Sequence, residues 1–257
     1  MLTSKLMQKD QIIAGKMAQA PERAATEDAS ITKRMKLVKP DLKSMATVAF
    51  FGKGGAGKST LCSNLAVIAK VVGLKVGILD ADAQASVSDW RRARGSKDIP
   101  VQSCSVSNLK QWVHKASAAD LHWLFIDMPP GARHVLGATQ VADLCLVVAR
   151  PNFFDVKVAS QLVEILESET ARLAIILNAV PPSRAGVEAP SVQEARAALA
   201  HKRLWEGLIT HRIGVASSVI QGKGVIELAP VSAAASEYGA LWNAVAMDVV
   251  RLRRPRS

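Results

Sequence analysis

The residues that first suggest chemistry are Phe51-Gly52-Lys53-Gly54-Gly55-Ala56-Gly57-Lys58-Ser59-Thr60. From Gly52 to Ser59 they satisfy the spacing G-x-x-x-x-G-K-[ST]. Glycines remove the Cβ atoms that would keep backbone N–H groups from turning inward around phosphate oxygens. A helix starting where the loop ends aims its positive dipole end at the same anion. The spacing predicts a polyphosphate cradle built from Gly54, Gly55, Ala56 and Gly57. Lys58 is expected on the β- and γ-phosphates, the Ser59 hydroxyl on Mg²⁺, and Thr60 near the α-phosphate.

Two further segments carry carboxylates where such a loop needs them. Asp80-Ala81-Asp82-Ala83-Gln84 closes one apolar run, and Leu121–Ile126 ends at Asp127. An acid at the C-terminal end of a parallel strand points into the ligand crevice, so Asp127 is expected to reach Mg²⁺ through water. Taken alone, Asp80 and Asp82 could equally cap the helix that follows them. Met128-Pro129-Pro130-Gly131 after Asp127 reads as a loop of restricted conformation. Asn178, in Leu177-Asn178-Ala179-Val180-Pro181-Pro182, offers an amide that both donates and accepts, and it also suits a simple turn.

Positioning these groups requires strands and helices in alternation, and the chain supplies them. Strands are expected at Ala46–Phe51, Lys75–Leu79, Leu121–Ile126, Leu144–Val148 and Leu173–Leu177, with a last short one at Trp205–Ile209. Helices are expected at Lys58–Val72, after Asp82 through Trp90, at Leu109–Ala118, at Val156–Leu166 and at Ser232–Leu252. This rhythm predicts an α/β fold: a mostly parallel twisted sheet with helices on both faces. Apolar residues make up 49% of the 257 and aromatics 4%, so aliphatic side chains must fill the core of one sizeable domain, placed at residues 45–257. Residues 1–44 differ in composition. They crowd Lys33, Arg34, Lys36, Lys39 and Lys43 before the first strand, and read as a basic arm, helical or partly disordered.

Composition narrows the function classes. Three separated cysteines, Cys62, Cys104 and Cys145, argue against a disulfide framework or a zinc site and fit a reducing cytosol. The histidines do not pair at metal-ligand spacing. No apolar run is long enough to span a bilayer, and the first residues lack the apolar core of a secretion signal. A formal charge of +11 points to a polyanionic partner, or to solubility alone.

Lys53-Gly54-Gly55-Ala56-Gly57-Lys58-Ser59-Thr60 matches KGGxGK[ST][ST], the deviant Walker A box, and resembles the ParA/MinD family of P-loop ATPases. The resemblance covers roughly residues 46 to 250. It implies ATP and Mg²⁺ as cofactors and a homodimer in the ATP state. In that dimer the second, signature lysine, here Lys53, crosses to the partner's phosphates. Asp80–Gln84 resembles the family's DxDPQ, which places Asp82 at the attacking water and beside Mg²⁺. Ala83 stands where the family has proline and suggests a looser loop. Asp127 to Gly131 resembles the switch D-x-P-P-G. Asp155 matches an acid near the nucleotide-dependent dimer face. Asn178 falls where the family reads the base, and Gln221–Val225 resembles its GK[PS]V segment.

Within the family, the nitrogenase iron protein has cluster cysteines that this chain does not match. MinD ends in a membrane-binding amphipathic helix, whereas Val249–Ser257 is short and broken by proline. The expected function is that of a short ParA: a weak ATPase, stimulated by a ParB-like or centromere-binding partner, that binds DNA non-specifically and partitions or positions cargo. The location this implies is cytoplasmic and nucleoid-associated. Candidate DNA contacts are Arg212, Lys223, Arg251, Arg253 and Arg254, with Lys202 and Arg203 beside them. The alternative is a MinD-like module recruited to a membrane or protein assembly.

Overall fold

The computed structural model describes residues 26–132, 134–169 and 172–253. The strands are β1 (Ala46–Gly52), β2 (Val76–Asp80), β3 (Val101–Ser103), β4 (Trp123–Asp127), β5 (Leu144–Ala149), β6 (Leu173–Val180) and β7 (Ile209–Thr210). They form one sheet in the order β3-β2-β4-β1-β5-β6-β7, and every pairing is parallel. The helices are α1 (residues 26–35), α2 (Lys58–Val71), α3 (Ser86–Arg94), α4 (Leu109–Ala118), α5 (Val135–Thr139), α6 (Phe153–Glu169), α7 (Pro190–Leu199), α8 (Ile213–Ile220), α9 (Val225–Leu228) and α10 (Ala233–Arg253).

β1 shows why the sheet lies in the middle. All seven of its residues are buried. Successive side chains on a strand point to opposite faces. Val48 and Phe50 enter a core with Leu61, Leu65 and Ile68 of α2 and with Trp242 and Val245 of α10. Ala49 and Phe51 enter a second core with Leu162 and Leu166 of α6 and Leu199 of α7. A strand apolar on both faces needs helices on both sides. The first core is rich in rings: Trp123 lies 5.0 Å from Trp242 and Phe50 lies 5.8 Å from Phe125, centroid to centroid.

Several elements differ from the sequence expectation. The last strand is β7 at Ile209–Thr210; Leu204 makes only an isolated bridge to Ile175, and the chain leaves the sheet between them. β3, α5, α7, α8 and α9 are too short or too weakly periodic to read from pattern. Within the arm, residues 1–25 lie outside the described residues, but residues 26–44 are fastened to the domain. Ile31 and Met35 pack on the first core and Leu37 is buried. The Val38 N–H donates to Asn243 Oδ1 at 2.8 Å, and Trp242 Nε1 donates to the Val38 carbonyl at 2.8 Å. Lys33, Arg34, Lys36, Lys39 and Lys43 remain exposed. A helix with apolar residues on one side only is docked by them.

Leu37 anchors this strap, so Leu37→Ala should lower unfolding free energy by about 2–5 kcal/mol. Nucleotide affinity should stay unchanged; urea titration and nucleotide titration on the same preparation check both.

Candidate nucleotide site

The loop after β1 sits at the centre of the sheet's C-terminal edge, where β1 is flanked by β4 and β5. Gly57 precedes α2 with φ of +95°, a left-handed conformation open to glycine. A Cβ there would run into Asn178 Nδ2. The Asn178 amide, 5% exposed, donates to the Ala56 carbonyl at 2.7 Å. Asn178 therefore braces the loop from below through its nitrogen, in addition to lying where a base reader is expected. The Lys58 side chain is buried at the start of α2.

Two cavities meet along this loop. One, of about 380 Å³, is lined by Gly54, Lys58, Ser59, Thr60, Asp82 and Trp90. The other, about 160 Å³, is lined by Ala56, Asn178, Thr210, His211, Arg212 and Tyr238. Both are bordered by Gly55, Gly57 and Thr60, so they form one elongated trough with the glycine turn as its floor.

The carboxylates converge beneath it. Asp80 and Asp127 are register partners at the ends of β2 and β4. Asp127 Oδ2 accepts from Ser59 Oγ at 2.5 Å. Burial pushes the Asp127 carboxyl up to about 7, and Asp80 and Asp82 push the same way against Ser59 and Lys58. Asp127 Oδ1 and Asp80 Oδ1 are both buried without a hydrogen-bond partner. Orphaned acceptors of this kind need a cation or ordered water. Asp80 Oδ2 is occupied: it takes Ser88 N and Ser88 Oγ at 2.9 and 2.7 Å and so holds the first turn of α3. Asp82 lies at the trough rim, its carboxylate accepting from Gln84 N at 2.9 Å and its carbonyl from Ala85 N at 2.9 Å. These two bonds close the turn around Ala83, which stands where the family has proline.

Lys53 lies outside the trough. Its amine is 3.3 Å from Asp155 Oδ1 and 5.5 Å from the Phe154 ring centroid. Phe153 and Phe154 are 74% and 67% exposed beside it, an apolar pair on the surface next to the loop.

A family model described as the CobQ/CobB/MinD/ParA nucleotide binding domain matches residues 47–225. The chain belongs to that family. Membership makes residues 47–225 a nucleotide-binding domain. The MinC:MinD cell division protein complex of Aquifex aeolicus is similar in fold: TM-score 0.64, 16% identity, 82% of this chain and 98% of that one. A ParA family ATPase from Chlorobium tepidum gives TM-score 0.61 at 17% identity over 77% of this chain and 98% of that one. Among curated relatives, an iron-sulfur cluster carrier protein of Mycobacterium tuberculosis is 31% identical over 159 residues, 48% of this chain and 41% of the relative. The chain spans less than half the length of the curated relatives it matches.

The oxygen ligands suit the family's metal. Ser59 Oγ and Asp127 are hard donors, and the unpartnered Asp127 Oδ1 has room for a further contact. Three positions have contacts that the sequence did not give. Asp80 braces α3. Trp90 lines the trough and donates through Nε1 to the Lys223 carbonyl at 3.2 Å. Arg94, at the other end of α3, bonds Glu227 Oε1 at 2.8 Å, Asp98 Oδ2 at 2.7 Å and the Gly222 carbonyl at 3.0 Å. From sequence, Arg91, Arg92 and Arg94 read as a basic cluster able to link this helix to DNA or a partner; the structure commits Arg94 to Asp98 and Glu227 instead.

Of the basic candidates, Arg212 bonds Glu237 at 2.8 Å and Arg253 bonds Asp143 at 2.5 Å. Lys223 and Arg251 are exposed, and Arg251 is only 3.6 Å from Asp248. Lys202 and Arg203 pair with Glu167 and Asp248. Arg254 lies outside the described residues.

Gly57→Ala should weaken ATP binding at least tenfold, because the added methyl displaces Asn178 and strains φ; isothermal titration reads it. The Arg94 latch should appear in pH-dependent stability. Burial alone would raise the Asp98 carboxyl, but hydrogen bonds from Arg94 and Ser96 hold it well below the usual range. A depressed carboxylate stabilises above its unfolded value, near 3.9, and loses that stabilisation as pH falls further. Wild type should therefore exceed Asp98→Asn by about 1–3 kcal/mol at pH 6. The gap should narrow steadily below about pH 4, as measured by thermal melts across that range.

Proposed function

We propose that this chain is a dimerising ATP switch of the partition type, which binds DNA non-specifically when ATP is bound and positions a plasmid, a chromosome or another intracellular cargo. The observation carrying this reading is the second lysine. Lys58 is buried inside the trough, whereas Lys53 stands at its outer rim with 41% of its side chain exposed, on a face bared by Phe153 and Phe154. An amine so placed cannot serve its own phosphates from where it rests, but it can serve those of a facing copy. Bound triphosphate then supplies the negative charge that draws two lysine-bearing loops together.

In this reading Gly54 to Thr60 cradle the phosphates, Ser59 and Asp127 hold Mg²⁺, Asp82 orients the attacking water, and Asn178 lies against the base. When bound, Mg²⁺ supplies charge neutralisation at the phosphoryl oxygens. A ParB-like partner would stimulate hydrolysis and so end the DNA-bound state. The net charge of +11 supports DNA as the polyanion, with exposed Lys223 and Arg251 the best contacts, since Arg212 and Arg253 already hold internal carboxylates.

The curated relatives named iron-sulfur cluster carriers suggest a second cargo. Cluster binding needs thiolates. Here Cys62 and Cys145 are buried in opposite cores, and burial pushes the thiols of Cys104 and Cys145 up to about 11 and 12. That chemistry favours partition. A MinD-like recruitment role shares the ATP cycle and differs in its target. Among the described residues no helix is long and apolar enough to cross a membrane.

The deciding experiment measures retention on DNA and on anionic liposomes, with ATP, ADP and no nucleotide, at matched ionic strength. Partition predicts ATP-dependent DNA binding that falls steeply with salt, is lost in Lys58→Ala, and weakens about tenfold in Lys223→Glu/Arg251→Glu while ATP affinity is kept. ATP-dependent DNA retention by Lys58→Ala would overturn it, and stronger liposome binding would favour recruitment.

A further inference from the structure

Asp155 is a buried carboxylate, 1% exposed, in the first turn of α6. It serves two cations with one charge. Arg150 donates through Nε to Oδ2 at 2.8 Å, through Nη2 to Oδ1 at 3.3 Å, and through its backbone N–H at 3.4 Å. Lys53 Nζ is 3.3 Å from Oδ1. Burial alone would raise the Asp155 carboxyl, but Arg150 and then Lys53 outweigh it and hold it below the ordinary range. Arg150 Nη2 also comes within 4.0 Å of where a Cβ on Gly55 would sit, so the guanidinium stands beside the phosphate loop.

One of the two cations is surplus, and their bonds show which. Arg150 holds both oxygens through three donors, a fork geometry that loses little if a third party leaves. Lys53 makes a single contact, at 3.3 Å. Stripping a buried carboxylate of its last partner is strongly unfavourable, because the uncompensated charge stays in a poor solvent. With Arg150 present, Lys53 can depart without that penalty.

We propose that Arg150 is a positioning residue for the ATPase: it stays on Asp155 when the Lys53 amine swings away to phosphate, and so sets how readily that lysine is released. This rests on the reading of Lys53 as the lysine that reaches across to a second copy's nucleotide. Without the Arg150 guanidinium, Lys53 would be the one cation left on Asp155 among the described residues, and the resting contact would become a lock.

The test has two readouts on the full chain. The first is the rate at which acetic anhydride acetylates Lys53 in the nucleotide-free protein, mapped by mass spectrometry. The second is the ATP-dependent dimer dissociation constant from light scattering. Arg150→Gln should slow Lys53 acetylation at least threefold and weaken the dimer at least tenfold, with monomer ATP affinity and Tm close to wild type. Arg150→Lys should restore both. Arg150→Gln/Asp155→Asn should free Lys53, giving acetylation faster than wild type. A merely structural role for Arg150 would lower Tm and leave Lys53 reactivity unchanged or raised. Unchanged or faster acetylation in Arg150→Gln, or an undiminished dimer, overturns the proposal. Lys53→Ala separates the two readings: if it dimerises normally, the sandwich reading fails. If it blocks dimers while Arg150→Gln does not, only the role of Arg150 fails.

Discussion

Two carboxylates meet at the ends of adjacent strands, Asp80 on β2 and Asp127 on β4, each with one buried oxygen that no protein donor satisfies. Two carboxylates buried side by side need a proton or a cation between them, and burial with its acidic neighbours already raises Asp127; the rest of the site is arranged around that need. Ser59 takes one oxygen of Asp127, and Ser88 takes one of Asp80 with two bonds. The phosphate loop can end in a lysine-bearing helix start because these acids lie below it. The sheet brings them into register, and the two cores clamp the sheet. The apolar bulk of the molecule thus serves to hold a small, electrostatically incomplete cluster that its cofactors complete.

Completion by cofactor also explains the division of labour between the lysines. Lys58 is enclosed and committed to the trough, whereas Lys53 is on the rim and held by a carboxylate that has another partner. A switch needs both kinds of contact. The first gives affinity whatever the assembly state. In the proposed switch the second is available only when something draws it away, and so answers to the assembly state.

The glycine loop was legible because it is local: spacing alone specifies its turns, its lysine and its hydroxyls. Strands β1, β2, β4, β5 and β6 were legible because burial on both faces leaves uninterrupted apolar runs. β3 and β7, with three and two residues, carry too little pattern, and Leu204 satisfies its backbone by one bridge without extending a strand. α7 to α9 depend on partners far away in sequence, such as Asn64 Oδ1, which accepts the Val225 N–H at 2.7 Å. At the site, Asp127 and Asp82 could be placed by motif. The brace from Asn178 to Ala56, the Arg94 latch and the sharing of Asp155 could not, because each joins residues that only the fold brings together. The docking of residues 26–44 was not legible for a related reason: their apolar residues are few, and the place beside α10 that receives Leu37 has no local signature.

Helix α3 is held at both ends. Asp80 grips its first turn, and Arg94 in its last turn is bound to Glu227, Asp98 and the Gly222 carbonyl. Gly222 packs so closely on the Ala93–Arg94 backbone that no side chain fits between them. A nine-residue strut fastened in this way transmits displacement instead of absorbing it. A displacement of the Asp82 loop would be carried along this rod to residues 221–224, on the flank of the molecule beside α8.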